Sequence, residues 1–292
     1  MIEKLQESYS VSEICTALEI SRSGYYAWKQ CGDGERMSAN EQLSEAISQI
    51  HGHRFMCAYG SPRMTHELRQ RGLDCSENRV ARLMRKNGIR AKARKPYRPR
   101  TTRMDPAARA SPNVLAQSLP PQHPAEQVVS DITYVPTREG WLYLTIIMDL
   151  FSRAIMGWDL SESLAAESLG RTLYKSFACP WRPSKSLFHS DRGSQYTSHQ
   201  IRRILSQVGW TQSMSAKGYC YDNAFAESFF ASFKNECLPP GGVFQSKLQA
   251  QRAIFDYIES FYNRHRFHSG IGYISPLHAL ELYINKQNIN MN

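Results

Sequence analysis

The sequence predicts an α/β chain: a mixed sheet flanked by helices, preceded by an all-α region. Three observations carry this. From Val128 onward, β-branched and alternating runs come first and strand then alternates with helix, as a mixed sheet requires. Before residue 96 the punctuation is that of helices, with serine starts and glycine stops. Between the two regions, Pro96 to Pro124 hold seven of the chain's 14 prolines, an extended linker.

Ser10-Val11-Ser12-Glu13 is a capping-box pattern that opens a helix with Val11, Ile14, Cys15 and Leu18 on one face. A turn at Glu19-Ile20 leads to Ser21, which caps a second helix from Arg22 to Lys29. The pair outlines either a helix-turn-helix or a plain helical hairpin. Residues 31 to 36 form a break, and Asn40 to His51 returns to helix with Leu43, Ile47 and Ile50 inward. Ser61 is the expected N-cap of the next helix, with Pro62 at its first position and Gly72 at its end. Ser76 caps Glu77 to Asn87, and Gly88 stops it. His51, His53, Cys57 and Cys75 lack zinc-finger spacing and read as surface or core residues.

The Glu77 helix exposes Asn78, Arg79, Arg82, Arg85 and Lys86. From Arg79 to Arg103 there are eleven Lys or Arg and no acid, which suits phosphate rather than a mixed solvated face. Arg94, Lys95, Arg98 and Arg100 carry this charge into the linker. Residues 1–103 hold 19 basic and 11 acidic side chains against 17 and 15 afterwards, so polyanion binding is weighted to the first third. Seven cysteines without a CxxC pair or a signal peptide read as reduced thiols of a cytoplasmic protein. The most apolar segment, Trp141 to Phe151, is too short to span a bilayer and contains Asp149, so no membrane role is implied.

After the linker, Gln127 to Val135 reads as a strand with Asp131 in its middle, where a carboxylate is costly unless something positive meets it. Trp141 to Leu150 and Ala154 to Leu160 read as a hairpin, and Leu164 to Ala178 as a helix. Leu187 to His189 returns to the sheet with Asp191 at its exit; Ser198 to Val208 is a helix and Trp210 to Met214 a last strand. Asp222 is the expected N-cap of a helix in which Phe225, Phe229 and Phe233 form a buried stripe, while Asn223, Glu227 and Lys234 share one face. If the strands of Asp131 and Asp191 are neighbours and this helix packs across them, three carboxylates converge, and oxygen-only ligands suit Mg²⁺ or Mn²⁺. Read separately, the same three are a strand acid, a turn aspartate and a surface glutamate. Gln251 to Asn263 is a further helix. It runs into Arg264-His265-Arg266-Phe267-His268, which suits a nucleic-acid strand or the back of the core. Ser275-Pro276 opens the last helix, to about Ile284, before a frayed tail.

The segments SDITYV, HSDRGSQYTS and DNAFAES, carrying Asp131, Asp191 and Glu227 with 35 residues between the last two, resemble the D, D(35)E core of DDE transposases and retroviral integrases. More narrowly they resemble the OrfB-type transposases of bacterial insertion sequences, and YNRHRFHSGIGYISP at 262–276 extends the match. The resemblance implies an RNase H-like catalytic core over 127–285 with a tail at 286–292. Ahead of it come a helix-turn-helix-like segment at 1–36, a basic helix-turn-helix DNA-binding domain at 37–95 and a linker at 96–126. It implies Asp131, Asp191 and Glu227 as catalytic residues and as ligands of two Mg²⁺ or Mn²⁺ ions. The substrate it implies is double-stranded DNA, cleaved at element ends to free a 3′-hydroxyl that attacks a second phosphodiester. Asn223 and Lys234 match signature residues, and Lys217, Arg264 and Arg266 join them as DNA contacts. The resemblance further implies a homo-oligomer on DNA in the bacterial cytoplasm, at the nucleoid. Because this chain shows no leucine-zipper heptads, it also implies a helix-turn-helix and coiled-coil partner or fusion from an upstream frame. Two rival readings are an RNase H-like nuclease, opposed by Lys234 and the basic arm, and a helix-turn-helix regulator with a silent core, opposed by the intact acids.

Overall fold

The structure is a computed structural model that describes residues 9–30, 33–92, 111–179, 181, 185–215 and 223–290. It divides into two compact units, residues 1–91 and 92–292.

The first unit is all helix: α1 (Val11–Ala17), α2 (Arg22–Gln30), α3 (Asp33–Gly52), α4 (Ser61–Gln70) and α5 (Glu77–Lys86). The Ser10 capping box forms in both directions, with the Ser10 amide donating to the Glu13 carboxylate at 2.9 Å. Two expectations need correction. Helix α3 begins at Asp33, seven residues before Asn40, because a glycine near a helix start costs only about 1 kcal/mol and the buried Leu43, Ile47 and Ile50 anchor the turns that follow. Gly60, not Ser61, is the N-cap of α4 and gives no side-chain cap, while the Ser61 hydroxyl donates to Glu77 at 3.2 Å. Gly72 and Gly88, at φ +79° and +67°, end α4 and α5 as left-handed stops. Met64 and Leu68 of α4 are fully buried, as is Val80 of α5.

The second unit is built on five strands: β1 (Gln127–Thr137), β2 (Gly140–Asp149), β3 (Ile155–Ser161), β4 (Leu187–Ser190) and β5 (Thr211–Met214). Their order across the sheet is β3-β2-β1-β4-β5. β1, β2 and β3 pair antiparallel as a meander, and β4 and β5 add in parallel to β1. The mixed sheet predicted from strand order is thus present, and this order is that of an RNase H-like core. Helix α6 (Ala166–Phe177) links β3 to β4; α7 (Ser194–Thr197), a turn not foreseen from sequence, and α8 (His199–Gln207) link β4 to β5. Val128, Ile147, Leu169, Leu173, Phe188, Tyr196, Ile201 and Leu205 form the core between sheet and helices on this side. Successive β1 residues face opposite ways, so Val128 and Ser130 face this core and Asp131 faces the other side. There β1 receives α9 (Ala224–Glu236) and α10 (Lys247–Phe255).

Helix α10 starts at Lys247 rather than Gln251 and becomes π-helical over Asp256–Tyr262. The last helix, α11 (Pro276–Asn290), runs on through the expected tail. No glycine or proline interrupts it, and Tyr283 anchors it by a 2.7 Å hydrogen bond with His123 and an edge contact with Phe151. Asn263, just after the π-helical turn, closes the edge of the sheet. Its amide accepts from Ile155 N at 2.9 Å and donates to Ile155 O at 3.1 Å, occupying groups that an edge strand leaves open.

Sheet and α6 meet closely at Gly157 of β3. A methyl group there would lie 2.5 Å from Thr172 O and 3.0 Å from Ser176 N, both backbone atoms of α6. Gly157→Ala is therefore expected to destabilise the fold by about 1–3 kcal/mol, the range for overpacking. The test is a urea midpoint; an unchanged midpoint would mean that α6 moves away freely.

Candidate active site

β1 and β4 pair in parallel with a constant offset, Val129 opposite His189. The same offset places Asp191, at the exit of β4, level with Asp131. Asp131 is half-buried and accepts a hydrogen bond from Ile132 N at 2.8 Å. Asp191 accepts one from Gly193 N at 2.9 Å, and a Cβ on Gly193 would crowd that same Asp191 oxygen at 3.0 Å. The turn after β4 therefore holds the carboxylate from behind.

Electrostatics identify where charge is concentrated. The Asp131 carboxyl is raised to about 7, first by burial, next by Asp191, and further by Glu227, with Ile132 N and Lys234 opposing. Lys234 is half-buried on α9 and is itself lowered by burial, while Asp131 holds it up. Tyr196, buried beneath the sheet with its hydroxyl 3.1 Å from Ser130 Oγ, is raised by burial and by Asp131 and Asp191. Asp149 is the instructive contrast. It is fully buried and likewise raised by burial, yet it accepts N–H bonds from Ala125, Phe151 and Ser152 and the Ser152 hydroxyl, which oppose that shift. That carboxylate is spent on shaping the β2–β3 turn, whereas Asp131 has one backbone donor and two acids for company.

Glu227 lies in the first turn of α9 and is exposed. It acts on Asp131 through space, and among the described residues no three His, Cys, Asp or Glu side chains are gathered tightly enough to enclose an ion. Asp131 and Asp191 form the nucleus, and Glu227 overlooks it from the helix. The donors are oxygen only, and Asp131 is raised by burial and then by two neighbouring acids, so the chemistry of the set fits a hard divalent cation.

The shift on Asp131 makes a stability prediction. Its folded-state pKa lies above the ordinary value of 3.8, so its contribution is intact below about pH 4 and is lost as pH rises through about 7. Asp131→Asn removes that loss. Without divalent ions, the variant is expected to gain on the parent by on the order of 2 kcal/mol between pH 5 and pH 8, read as a widening gap in thermal midpoints. A gap that stays constant with pH would refute it.

The residues predicted to hold DNA divide three ways. Asn78, Arg82, Arg85 and Lys86 are exposed on α5, and Lys234 sits beside Asp131. Arg94, Lys95, Arg98, Arg100 and Lys217 lie outside the described residues, as does Asp222, the expected N-cap. The rest are engaged elsewhere. Arg79 is half-buried and donates to Asn40 Oδ1 at 3.0 Å, and Arg264, though exposed, donates from Nε to Glu259 O at 3.1 Å. Asn223 is 7% exposed and forms the N-cap of α9, so it is corrected from a surface contact to a helix-end residue. Arg266 is corrected too. It is 2% exposed and clamps Glu236 through two 2.7 Å bonds, because a guanidinium this deep needs a carboxylate partner. Phe225 also leaves the predicted stripe at 42% exposure, while Phe229 and Phe233 remain buried.

Sequence reasoning missed Glu236, Tyr196 and Arg153. Only Tyr196 carried a signal, its place in the HSDRGSQYTS segment.

A family model described as an integrase core domain matches residues 121–220, a second of the same description matches 208–276, and an HTH-like domain model matches 38–97. Transposase InsF for insertion sequence IS3A of Escherichia coli (strain K12) is 38% identical over 278 residues, 94% of this chain and 95% of that protein. The chain belongs to the OrfB-type transposases of IS3 insertion sequences. It is thus a DNA transposase with an RNase H-like integrase core and the DDE mechanism of that family. The insertion element IS600 31 kDa protein of Shigella sonnei is also 38% identical, over 92% of the transposase and 98% of that protein. Among solved structures, the HTLV-2 integrase catalytic core domain in complex with magnesium aligns with a TM-score of 0.38 and 14% identity, covering 53% of the transposase and 96% of that chain. Among the described residues, no helix is long and apolar enough to cross a membrane.

Proposed function

We propose that Asp131, Asp191 and Glu227 are the catalytic carboxylates of this transposase, and that they hold two Mg²⁺ or Mn²⁺ ions. The observation that carries this is the parallel register that sets Asp131 level with Asp191, where burial and the neighbouring acids raise the Asp131 carboxyl. When bound, such ions supply charge to the attacking and leaving oxygens of an in-line phosphoryl displacement. Around them, the Ile132 and Gly193 amides fix one oxygen of each aspartate. Lys234 supplies the cation that meets a DNA phosphate beside Asp131. On this reading, hydrolysis of a phosphodiester at the element end frees a 3′-hydroxyl. That hydroxyl then attacks a second phosphodiester, one P–O bond forming as another breaks, so no activated cofactor is consumed.

The first unit supplies the proposed DNA-binding surface. Asn78, Arg82, Arg85 and Lys86 on exposed α5, continued by Arg94, Lys95, Arg98 and Arg100, are the proposed phosphate contacts. Arg264 remains a peripheral contact on this reading.

The test is cleavage and joining of a labelled duplex bearing the element's terminal repeat, in Mg²⁺ or Mn²⁺, with the parent beside Asp191→Asn and Glu227→Gln. In Mg²⁺, joined product is expected from the parent alone. Product from either variant at the parental rate would remove that residue from the site.

A further inference from the structure

We propose that Arg153 is a positioning residue for Glu227 and acts through Phe225. The proposal rests on the reading of Glu227 as a catalytic carboxylate.

Among the described residues, helix α9 starts without a side-chain cap. Asn223 at its N-cap makes no side-chain capping bond, and its Oδ1 is buried with no hydrogen-bond partner. The first N–H groups of a helix have no partner of their own, and an uncapped first turn is prone to open. Glu227 lies in that turn. Among the described residues no side-chain cap holds it.

Phe225 is two residues earlier, and at about 100° per residue it lies on the side of the helix opposite Glu227. The Arg153 guanidinium carbon is 3.7 Å from the centre of the Phe225 ring, a close cation–π stack over its face. Further along the same side, Phe229 meets Tyr262 edge-on at 4.8 Å and stacks on Phe233. The Arg153 stack therefore extends this buried aromatic column to the uncapped end and sets the rotation of the turn that carries Glu227.

Two unfavourable features are retained at Arg153. Its φ of +69° is left-handed, a region that a long side chain seldom occupies, and its Nη1 is buried with no hydrogen-bond partner. Strain and an unmet donor kept together on one turn residue point to a task beyond stability. The base of the brace is firm, because the Asp149 carboxylate gathers the amides of Ala125, Phe151 and Ser152 around the same turn. A planar cation is required, so lysine is a poor substitute.

The experiment compares Arg153→Gln, Phe225→Leu, Phe225→Trp and Glu227→Gln in the full chain. It measures kcat and KM for strand joining, the thermal midpoint, and amide exchange at Ser228 and Phe229, which close on the carbonyls of Ala224 and Phe225 by helix geometry. Arg153→Gln and Phe225→Leu are expected to speed that exchange about tenfold and lower kcat by about ten- to a hundredfold, as misplacement of a reacting group does, with KM within threefold. Phe225→Trp, which keeps an aromatic face, should recover most of both. The proposal is overturned if Arg153→Gln leaves exchange and kcat at parental values. It is also overturned if that variant raises KM alone, as a phosphate contact would, or if exchange quickens uniformly across residues 92–292 as the midpoint falls. Full activity in Glu227→Gln would instead refute the reading of Glu227, while the exchange data would still decide whether Arg153 braces α9.

Discussion

Asp131→Asn and Asp191→Asn are each expected to lower strand joining by on the order of a thousandfold or more while duplex binding stays within a few-fold. Removing one preorganised charge-stabilising group costs about 10²–10³ in kcat in general, and here the group lost would also hold the cations that supply most of the charge. Asparagine preserves the volume and one oxygen, so the fold survives; at neutral pH Asp131→Asn even removes the cost of a charge that burial first, and then Asp191 and Glu227, disfavour, raising the carboxyl to about 7. Glu227→Gln should be the mildest of the three, because Glu227 overlooks the aspartates from an exposed first turn. Raising Mn²⁺ should recover part of its activity and almost none for Asp191→Asn. Parallel loss of DNA binding in all three variants would show that the acids serve structure instead of chemistry.

The second large effect lies away from the reaction. Arg266→Ala is expected to destabilise the second unit by about 3–5 kcal/mol, the range for leaving one member of a buried pair uncompensated. Glu236 sits at the last residue of α9 and accepts both Arg266 bonds and the Tyr257 hydroxyl at 2.8 Å. Against a total stability of about 5–15 kcal/mol, this threatens the fold at 37 °C. Glu236→Leu together with Arg266→Met should recover much of the loss, since an apolar pair removes both buried charges. A urea midpoint reads all three proteins. If Arg266→Ala unfolded normally but flattened the salt dependence of DNA binding, Arg266 would be a phosphate contact after all.

Much of the fold was legible because its signals are local. Alternation in Gln127–Val135, the serine caps at 10, 76 and 198, and the glycine stops at 72 and 88 each depend on a few neighbouring residues. The site was legible in part for a related reason, since an acid at a strand exit and an acid inside a strand are visible before any pairing is known. Arg266 was misjudged because its partner Glu236 is 30 residues away and a basic-aromatic run looks the same in solvent and in a core. Phe225 was misjudged because helical spacing specifies a stripe but not where the stripe leaves the core. The start of α3 was missed because Gly34 reads as a break when nothing shows how well the turns after it are buried.

His189 is fully buried beside β5 and the residue that follows it, its Nδ1 2.9 Å from Ser213 Oγ and its Nε2 3.0 Å from Ser215 Oγ. Ser213 Oγ already accepts the amides of Val114 and Leu115, within the linker, at 3.0 and 3.1 Å. With both lone pairs taken, that hydroxyl has only its proton left to offer, and it offers it to Nδ1. With Nδ1 accepting, Nε2 is the ring nitrogen that donates, to Ser215. Donation runs in one direction, from the linker amides through Ser213 and the imidazole to the mouth of the loop that leads to α9. The proline-rich segment thus fixes the proton order of a strand that delivers Asp191 two residues later.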